Sequence, residues 1–146
     1  MNRSIRPLAA LFAVVLPLRA IAAPLHAVLY KNPECTCCDE YAAYLRHEGF
    51  DVDVKPTNDL VEMSLAAGVP EKLSGCHLTQ IAGYVVEGHV QVSTIRKLLA
   101  TRPNVVVITL PGMPPGTPGM TGTKSAPLLI YAISNAAEAP TIYDVQ

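Results

Sequence analysis

The strongest constraint on the fold is an alternation of short apolar segments with amphipathic ones early in the chain. Residues 25–30 form an apolar, β-favouring run that leads directly into a turn at 31–34. Residues 39–47 place their apolar side chains at helical spacing, and residues 50–55 alternate apolar with charged side chains, which is the period of a strand. This order predicts two parallel strands joined by a crossover helix.

The elements that follow extend this unit. The pattern predicts a second helix over 60–67, two strands over 78–81 and 84–87 that flank a tight turn at Ala82-Gly83, and a third helix over 92–99. The resulting order, β-α-β-α-β-β-α, is the one expected of an α/β fold of the thioredoxin-like, three-layer sandwich type.

The last part of the chain adds features outside that order. Residues 105–110 are a β-branched run and predict one more strand. Residues 111–120 are rich in Pro, Gly and Met, so they must form a loop because neither a helix nor a regular ladder tolerates that composition. Residues 128–133 and 141–145 predict a C-terminal hairpin.

The N-terminus has the pattern of a secretory signal peptide. Arg3 and Arg6 precede an apolar run over 8–16 that is too short to span a bilayer, and small residues follow it. We therefore expect a signal peptide over 1–23, a mature domain over 24–146 and a periplasmic location without membrane attachment. The mature chain keeps 8 basic and 12 acidic residues, a net charge of −4, which argues against nucleic acid as a partner.

The cysteines are the residues that carry chemistry. Three of the four lie in Cys35-Thr36-Cys37-Cys38, between the first strand and the first helix, and the fourth is Cys76. The positive end of the helix dipole is expected to lower thiol pKa values there, which favours reactive thiolates. The spacing of Cys35 and Cys38 fits a redox disulfide, and that of Cys35 and Cys37 fits a metal clasp.

The number of thiols favours metal. A dithiol oxidoreductase needs two cysteines, and surplus thiols in an oxidising compartment invite wrong disulfides. In the predicted fold Cys76 begins the third strand and faces the turn that carries the other three cysteines, so all four sulfurs can converge. Adjacent Cys37 and Cys38 favour bridging thiolates that hold more than one ion, and soft sulfur ligands favour Cu(I).

Other side chains are candidate ligands beside the cysteines. His77 is adjacent to Cys76 in the sequence, and Met113 and Met120 carry thioether sulfur in a loop that needs no core-filling side chains. His89 is a weaker candidate, because its neighbour Gly88 favours a turn role. The predicted metal-site residues are Cys35, Cys37, Cys38, Cys76, His77, Met113 and Met120.

Together these motifs resemble a known family of small periplasmic metal-binding proteins associated with copper resistance, long catalogued as a domain of unknown function. The resemblance covers essentially the whole mature chain. Its carriers are residues 30–38, Ser74-Gly75-Cys76-His77, residues 83–90, and Pro111-Gly112-Met113-Pro114 with Pro118-Gly119-Met120. The family implies a thioredoxin-like fold and copper handling by binding, with electron exchange between Cu(I) and Cu(II) as a further activity.

The expected function is copper binding in copper tolerance, with copper ions and other periplasmic copper-handling proteins as partners. A binding protein fits better than an enzyme, and a copper oxidoreductase is the enzymatic alternative. The sequence has no hydrolase, phosphate-loop or zinc-protease motif. Three alternatives stay open: a thiol-disulfide oxidoreductase that uses Cys35 and Cys38, a zinc-stabilised structural module, and cysteines paired in buried disulfides.

Overall fold

A computed structural model describes residues 23–135 and 139–146. Within them the chain forms a mixed α/β fold with one seven-stranded sheet and three α-helices. None of the described helices has the length and apolar character needed to cross a bilayer. Apart from Ala23, the predicted signal peptide lies outside the described residues.

The elements follow the predicted order from the first strand to the C-terminal hairpin. They are β1 (Leu25–Lys31), α1 (Thr36–His47), β2 (Phe50–Pro56), α2 (Leu60–Ala66), a 3-10 turn (Glu71–Leu73), β3 (His77–Ile81), β4 (Tyr84–Glu87), α3 (Val92–Thr101), β5 (Val107–Thr109), β6 (Leu129–Ile133) and β7 (Thr141–Val145).

The sheet has the strand order β2-β1-β3-β4-β5-β6-β7. β1 and β2 are parallel, as the crossover helix between them requires, and β4 and β5 are also parallel. β3 is antiparallel to β1 and to β4, and β6 is antiparallel to β5 and to β7. The register places Lys31, the last residue of β1, opposite His77, the first residue of β3.

Helix α1 and strand β5 differ from their predicted bounds. Helix α1 begins at Thr36, three residues before the predicted start, with Cys35 as an extended N-cap. Cys37 and Cys38 therefore lie in the first helical turn, whose amides have no partner inside the helix. The strand predicted over 105–110 is shorter, because the Val105 amide donates to the Pro103 carbonyl in a turn (2.9 Å).

Helices cover both faces of the sheet. Tyr41 and Leu45 of α1 and Ile95 of α3 pack in one buried cluster with strand residues such as Leu29 and Val86. On the opposite face, a smaller cluster joins Val69 and Leu73, which follow α2, to Val107 and Ile133. The larger cluster lies directly beneath α1, so it fixes the helix that carries Cys37 and Cys38.

The chain needs glycine where Cys76 approaches the end of β4. A Cβ atom on Gly75 would lie 2.6 Å from the Gly88 Cα, and one on Gly88 would lie 2.3 Å from the Leu110 carbonyl oxygen. Gly88 also has a φ of +74°, a conformation that other residues adopt at a cost. Three segments of backbone therefore meet here at distances that any side chain would prevent.

Substitution of Gly88 by Ala is expected to destabilise the fold by about 3 kcal/mol or more, because backbone strain adds to a clash with Leu110. Gly83→Ala is the matched control: Gly83 has a φ of +88° but nothing within 4 Å of the added Cβ, so strain alone should cost about 1–2 kcal/mol. Urea unfolding of both variants measures the difference, and equal losses would show that the close approach is unimportant.

Candidate metal centre

The turn that carries the first three cysteines is built around the ammonium group of Lys31. Lys31 is only 4% exposed, and its Nζ donates to the Cys35 carbonyl oxygen (3.0 Å) and to Oδ2 of Asp39 (2.8 Å). The Cys35 amide donates to the Asn32 carbonyl (3.0 Å), which closes the turn. The end of β1 is thereby joined to the start of α1, and the backbone of Cys35 is held in place.

The four cysteine sulfurs converge. The Sγ atoms of Cys35, Cys37, Cys38 and Cys76 all lie within 4.8 Å of one another. Cys35 and Cys38 form a disulfide, and Cys37 and Cys76 are free thiols. The convergence expected from the placement of Cys76 at the start of β3 is therefore confirmed.

Contacts between individual sulfurs are close. The Cys37 Sγ lies 3.4 Å from the Cys35 Sγ, and the Cys76 Sγ lies 3.6 Å from the Cys38 Sγ. Cys38 is completely buried, whereas the other three cysteines are partly exposed. Three of the four sulfur-bearing side chains can therefore be reached from solvent.

Cys76 is positioned by the segment before it. Gly75 packs on Gly88, and its amide donates to Oε1 of the buried Glu87 (2.8 Å), which also accepts from the Ser64 hydroxyl (3.2 Å). The Gly88 amide donates to the His77 carbonyl (3.0 Å). These contacts tie the residues on either side of Cys76 to the end of β4.

Two buried histidines complete the group on the side of Cys76. The Cys76 Sγ lies 2.9 Å from Nε2 of His89 and 3.4 Å from Nδ1 of His77. Nδ1 of His89 lies 2.6 Å from the Pro118 carbonyl, which can only accept a hydrogen bond. Nδ1 of His89 therefore carries the proton when the ring is neutral, and Nε2 presents its lone pair to the sulfur.

Tyr41 of α1 forms the inner wall of this group. Its ring lies 4.4 Å from the His77 ring and 5.3 Å from the His89 ring, between centroids. Its hydroxyl donates to the Val90 carbonyl (2.7 Å), one residue after His89. Tyr41 therefore holds both imidazole rings in place. Nε2 of His77 is buried without a hydrogen-bond partner among the described residues.

The electrostatics of the site favour neutral side chains in the absence of a cation. Burial, with a further contribution from the Cys37 thiol, raises the pKa of Cys76 to about 12. Burial, followed by the neighbouring His89, lowers the pKa of His77 to about 3, and burial also lowers the pKa of His89. Thiolates at this position therefore need a positive charge beside them, which a bound metal ion supplies.

The Pro/Gly/Met-rich loop packs on the site through backbone atoms. A Cβ atom on Gly119 would lie 2.7 Å from the Cys37 carbonyl oxygen, so the loop lies against the first turn of α1. Met120, the next residue, is partly buried, and Met113 is 52% exposed. The assignment of either methionine as a ligand stays a prediction.

The sequence ranked His77 above His89 as a candidate metal ligand, and the structure places both beside Cys76. His77 lies beside Cys76 as expected, but His89, expected to be a turn residue, is completely buried and closer to that sulfur. The predicted β3–β4 hairpin indicates where His89 lies. Because β3 and β4 pair with Leu78 opposite Glu87, residues just beyond Glu87 return to the level of Cys76.

The buried His77 predicts a pH dependence of stability for the metal-free, disulfide-bonded protein. Between pH 6.5 and about 3 the unfolded chain takes up a proton on His77 that the folded chain does not. The free energy of unfolding therefore decreases as the pH is lowered through this range. His77→Phe, which keeps a ring against Tyr41, should make the slope shallower by up to about 1.4 kcal/mol per pH unit. Urea unfolding from pH 7 to 4 measures the slope.

His26→Gln is the matched control, because it removes a surface imidazole instead of the buried one beside Cys76. If the His77→Phe variant lost stability with falling pH as steeply as the control, His77 would not be held neutral in the folded state.

Comparisons with known proteins agree with this chemistry. Residues 73–120 match the family model described as "Protein of unknown function, DUF411", a range that includes Cys76, His77 and His89. Two solved structures named copper resistance protein CopG, forms 2 and 1, superpose with TM-scores of 0.77 and 0.76. Each is 29% identical and covers 84% of this chain and 98% of its own. No curated protein matches significantly.

These findings confirm the resemblance to a copper-resistance-associated family formerly of unknown function. The family match lies outside residues 35–38, so the cysteines of the turn rest on the geometry of the cluster.

Proposed function

We propose that this relative of the copper-resistance proteins binds copper as Cu(I) in copper tolerance, through the thiolates of Cys35, Cys37, Cys38 and Cys76. The convergence of these four sulfurs within 4.8 Å is the observation that carries the proposal. Thiolate and thioether sulfur are the ligands that select Cu(I), and imidazole also suits copper. The names of the structural neighbours point to the same metal.

The donor geometry supports a site for more than one ion. The four cysteines form one group of candidate ligands, and Cys76, His77 and His89 form a second, so there are more donors than a single tetrahedral ion can use. Sulfur atoms at the centre, such as that of Cys76, are then placed to bridge neighbouring ions. Met113 and Met120, in the loop that packs on α1, are additional thioether donors in this proposal.

Copper binding by all four cysteines requires reduction of the Cys35–Cys38 disulfide, because the thiolate is the form of cysteine that ligates metals. Reduction frees two further sulfurs on a turn that Lys31 holds and on a helix that packs on the buried core. Mutual repulsion of the four thiolates is then offset by the charge of the bound copper.

The proposal extends to the fold and the cellular location. The strand order β2-β1-β3-β4, with β1 parallel to β2 and β3 antiparallel to β1, supports a thioredoxin-like unit to which β5–β7 are added. Residues 1–23 support export to the periplasm, where copper and other copper-handling proteins would be met.

Cu(I) binding to the anaerobically reduced protein tests this function. In competition with a chromophoric Cu(I) chelator, Cys76→Ser should bind Cu(I) at least about 100-fold more weakly. Removal of a residue that only orients a metal ligand costs up to about this much, so removal of a ligand itself should cost no less. His89→Gln should lower it about 10- to 100-fold if its imidazole supports the site. Elemental analysis of the same samples gives the number of ions.

Thr36→Ser and His26→Gln are matched controls, since one changes the cysteine turn without removing sulfur and the other removes a surface imidazole. Both should bind copper like the unsubstituted protein. Equal copper content and affinity for the unsubstituted protein and Cys76→Ser would contradict the proposal.

The Cys35–Cys38 disulfide favours one alternative, a thiol-disulfide oxidoreductase. That enzyme would reduce insulin catalytically and lose the activity in Cys35→Ser, whereas a copper-binding protein should show no turnover. A zinc module would instead bind a single ion and unfold on chelation.

A further inference from the structure

We propose that Lys31 is a positioning residue for Cys35: its buried ammonium group holds the turn over residues 32–35 at the cysteine cluster when the Cys35–Cys38 disulfide is open. The disulfide fixes the Cys35 sulfur in the oxidised protein, and Lys31 takes over that role in the reduced protein. The use of this device in copper binding rests on the proposed function, whereas its effect on the disulfide does not.

The first observation is that the backbone of Lys31 is anchored independently of any cysteine. Lys31 ends β1, an interior strand of the sheet, where it pairs with Pro56 of β2 on one side and His77 of β3 on the other. Its carbonyl oxygen also accepts from the Thr57 amide (2.8 Å). The base of the lysine side chain is therefore held by neighbouring strands on both sides.

The second observation is that every donor of the ammonium group is used. Its three N–H bonds meet the carbonyl oxygens of Pro33 (3.4 Å) and Cys35 (3.0 Å) and Oδ2 of Asp39 (2.8 Å). The lysine side chain is only 5% exposed, so water has little access to replace these partners. A buried lysine normally occurs only where it is paired, as this one is. The end of β1 is thus joined both to the turn and to the first turn of α1.

The third observation is that other hydrogen bonds of the turn are local. The Cys35 amide donates to the Asn32 carbonyl (3.0 Å), and the Glu34 amide donates to Oδ1 of Asn32 (3.0 Å). These two bonds shape the turn but do not join it to the sheet. Opening of the disulfide removes the covalent link from Cys35 to the buried Cys38, and the hydrogen bond from Lys31 to the Cys35 carbonyl still holds the turn.

Lys31 acts through position more than through charge, because the Asp39 carboxylate balances its ammonium group. A group that is held near its partner reacts as if at a high effective concentration. Lys31 should therefore favour two events that need the Cys35 sulfur in place, closure of the disulfide with Cys38 and ligation of a metal ion.

Equilibrium with glutathione, at constant pH and without metal, tests the first event. In the Cys37→Ser/Cys76→Ser background only Cys35 and Cys38 remain, and two glutathione thiols become glutathione disulfide as the protein disulfide opens. Lys31→Met keeps an unbranched apolar side chain and removes the ammonium group. It should lower the equilibrium constant for closing the disulfide about 10-fold, the loss expected when one hydrogen bond to a charged group is removed.

Lys55→Met is the matched control, because Lys55 lies on the neighbouring strand and pairs with Asp53 (2.7 Å) but is exposed, so this variant should leave the equilibrium unchanged. Asp39→Ala is a second test that does not depend on the folding of Lys31→Met, since Asp39 is 56% exposed. Loss of this partner should lower the constant about 2- to 5-fold. Unchanged constants in the variants that fold would overturn the proposal.

Cu(I) affinity of the reduced protein with all four cysteines tests the second event. Lys31→Met should lower the affinity about 10- to 100-fold, as for other residues that orient a metal ligand, and should cause no further loss once Cys35→Ser has removed the sulfur. An equal loss with and without the Cys35 sulfur would overturn the proposal, because Lys31 would then only support the fold. If the unsubstituted protein did not bind Cu(I), the proposed function would fail, and the glutathione equilibrium would still decide the role of Lys31.

Discussion

The close approach of Gly75 to Gly88 is the contact on which the candidate site depends. It joins the segment that enters β3 to the segment that leaves β4, and these carry Cys76 and His89. Glu87 reinforces the junction from the opposite face of the sheet, through the Gly75 amide and the Ser64 hydroxyl. Without this junction Cys76 would have neither its imidazole partner nor a fixed distance from the cysteines of α1.

The disulfide and the proposed copper site exclude each other. Cys35 and Cys38 are joined in the disulfide, and both are needed as thiolates in the proposed copper site. A ligand that binds only one form of a protein stabilises that form by mass action. Bound copper should therefore favour the reduced Cys35–Cys38 dithiol and protect it from oxidation. Burial also disfavours the Cys76 thiolate unless a cation is present, so this ligand should form only together with the bound metal.

Much of this arrangement could be predicted from patterns in the sequence. The apolar periodicity predicted the order of helices and strands, and this order placed Cys76 beside the cysteine turn. The burial of His89 was missed because a glycine neighbour is a local signal, whereas its pairing with Cys76 arises from the register of β3 and β4. The Lys31 ammonium beneath the turn was also beyond prediction, since a lysine at a strand end normally lies in solvent.

A crystal structure of the reduced, copper-loaded protein, with anomalous diffraction measured at the copper edge, tests the central claim most directly. We predict copper peaks between the Cys76 sulfur and the sulfurs of the α1 turn, with His89 beside them. Copper found only at surface groups such as His26 or His47, with Cys76 unligated, would contradict the account.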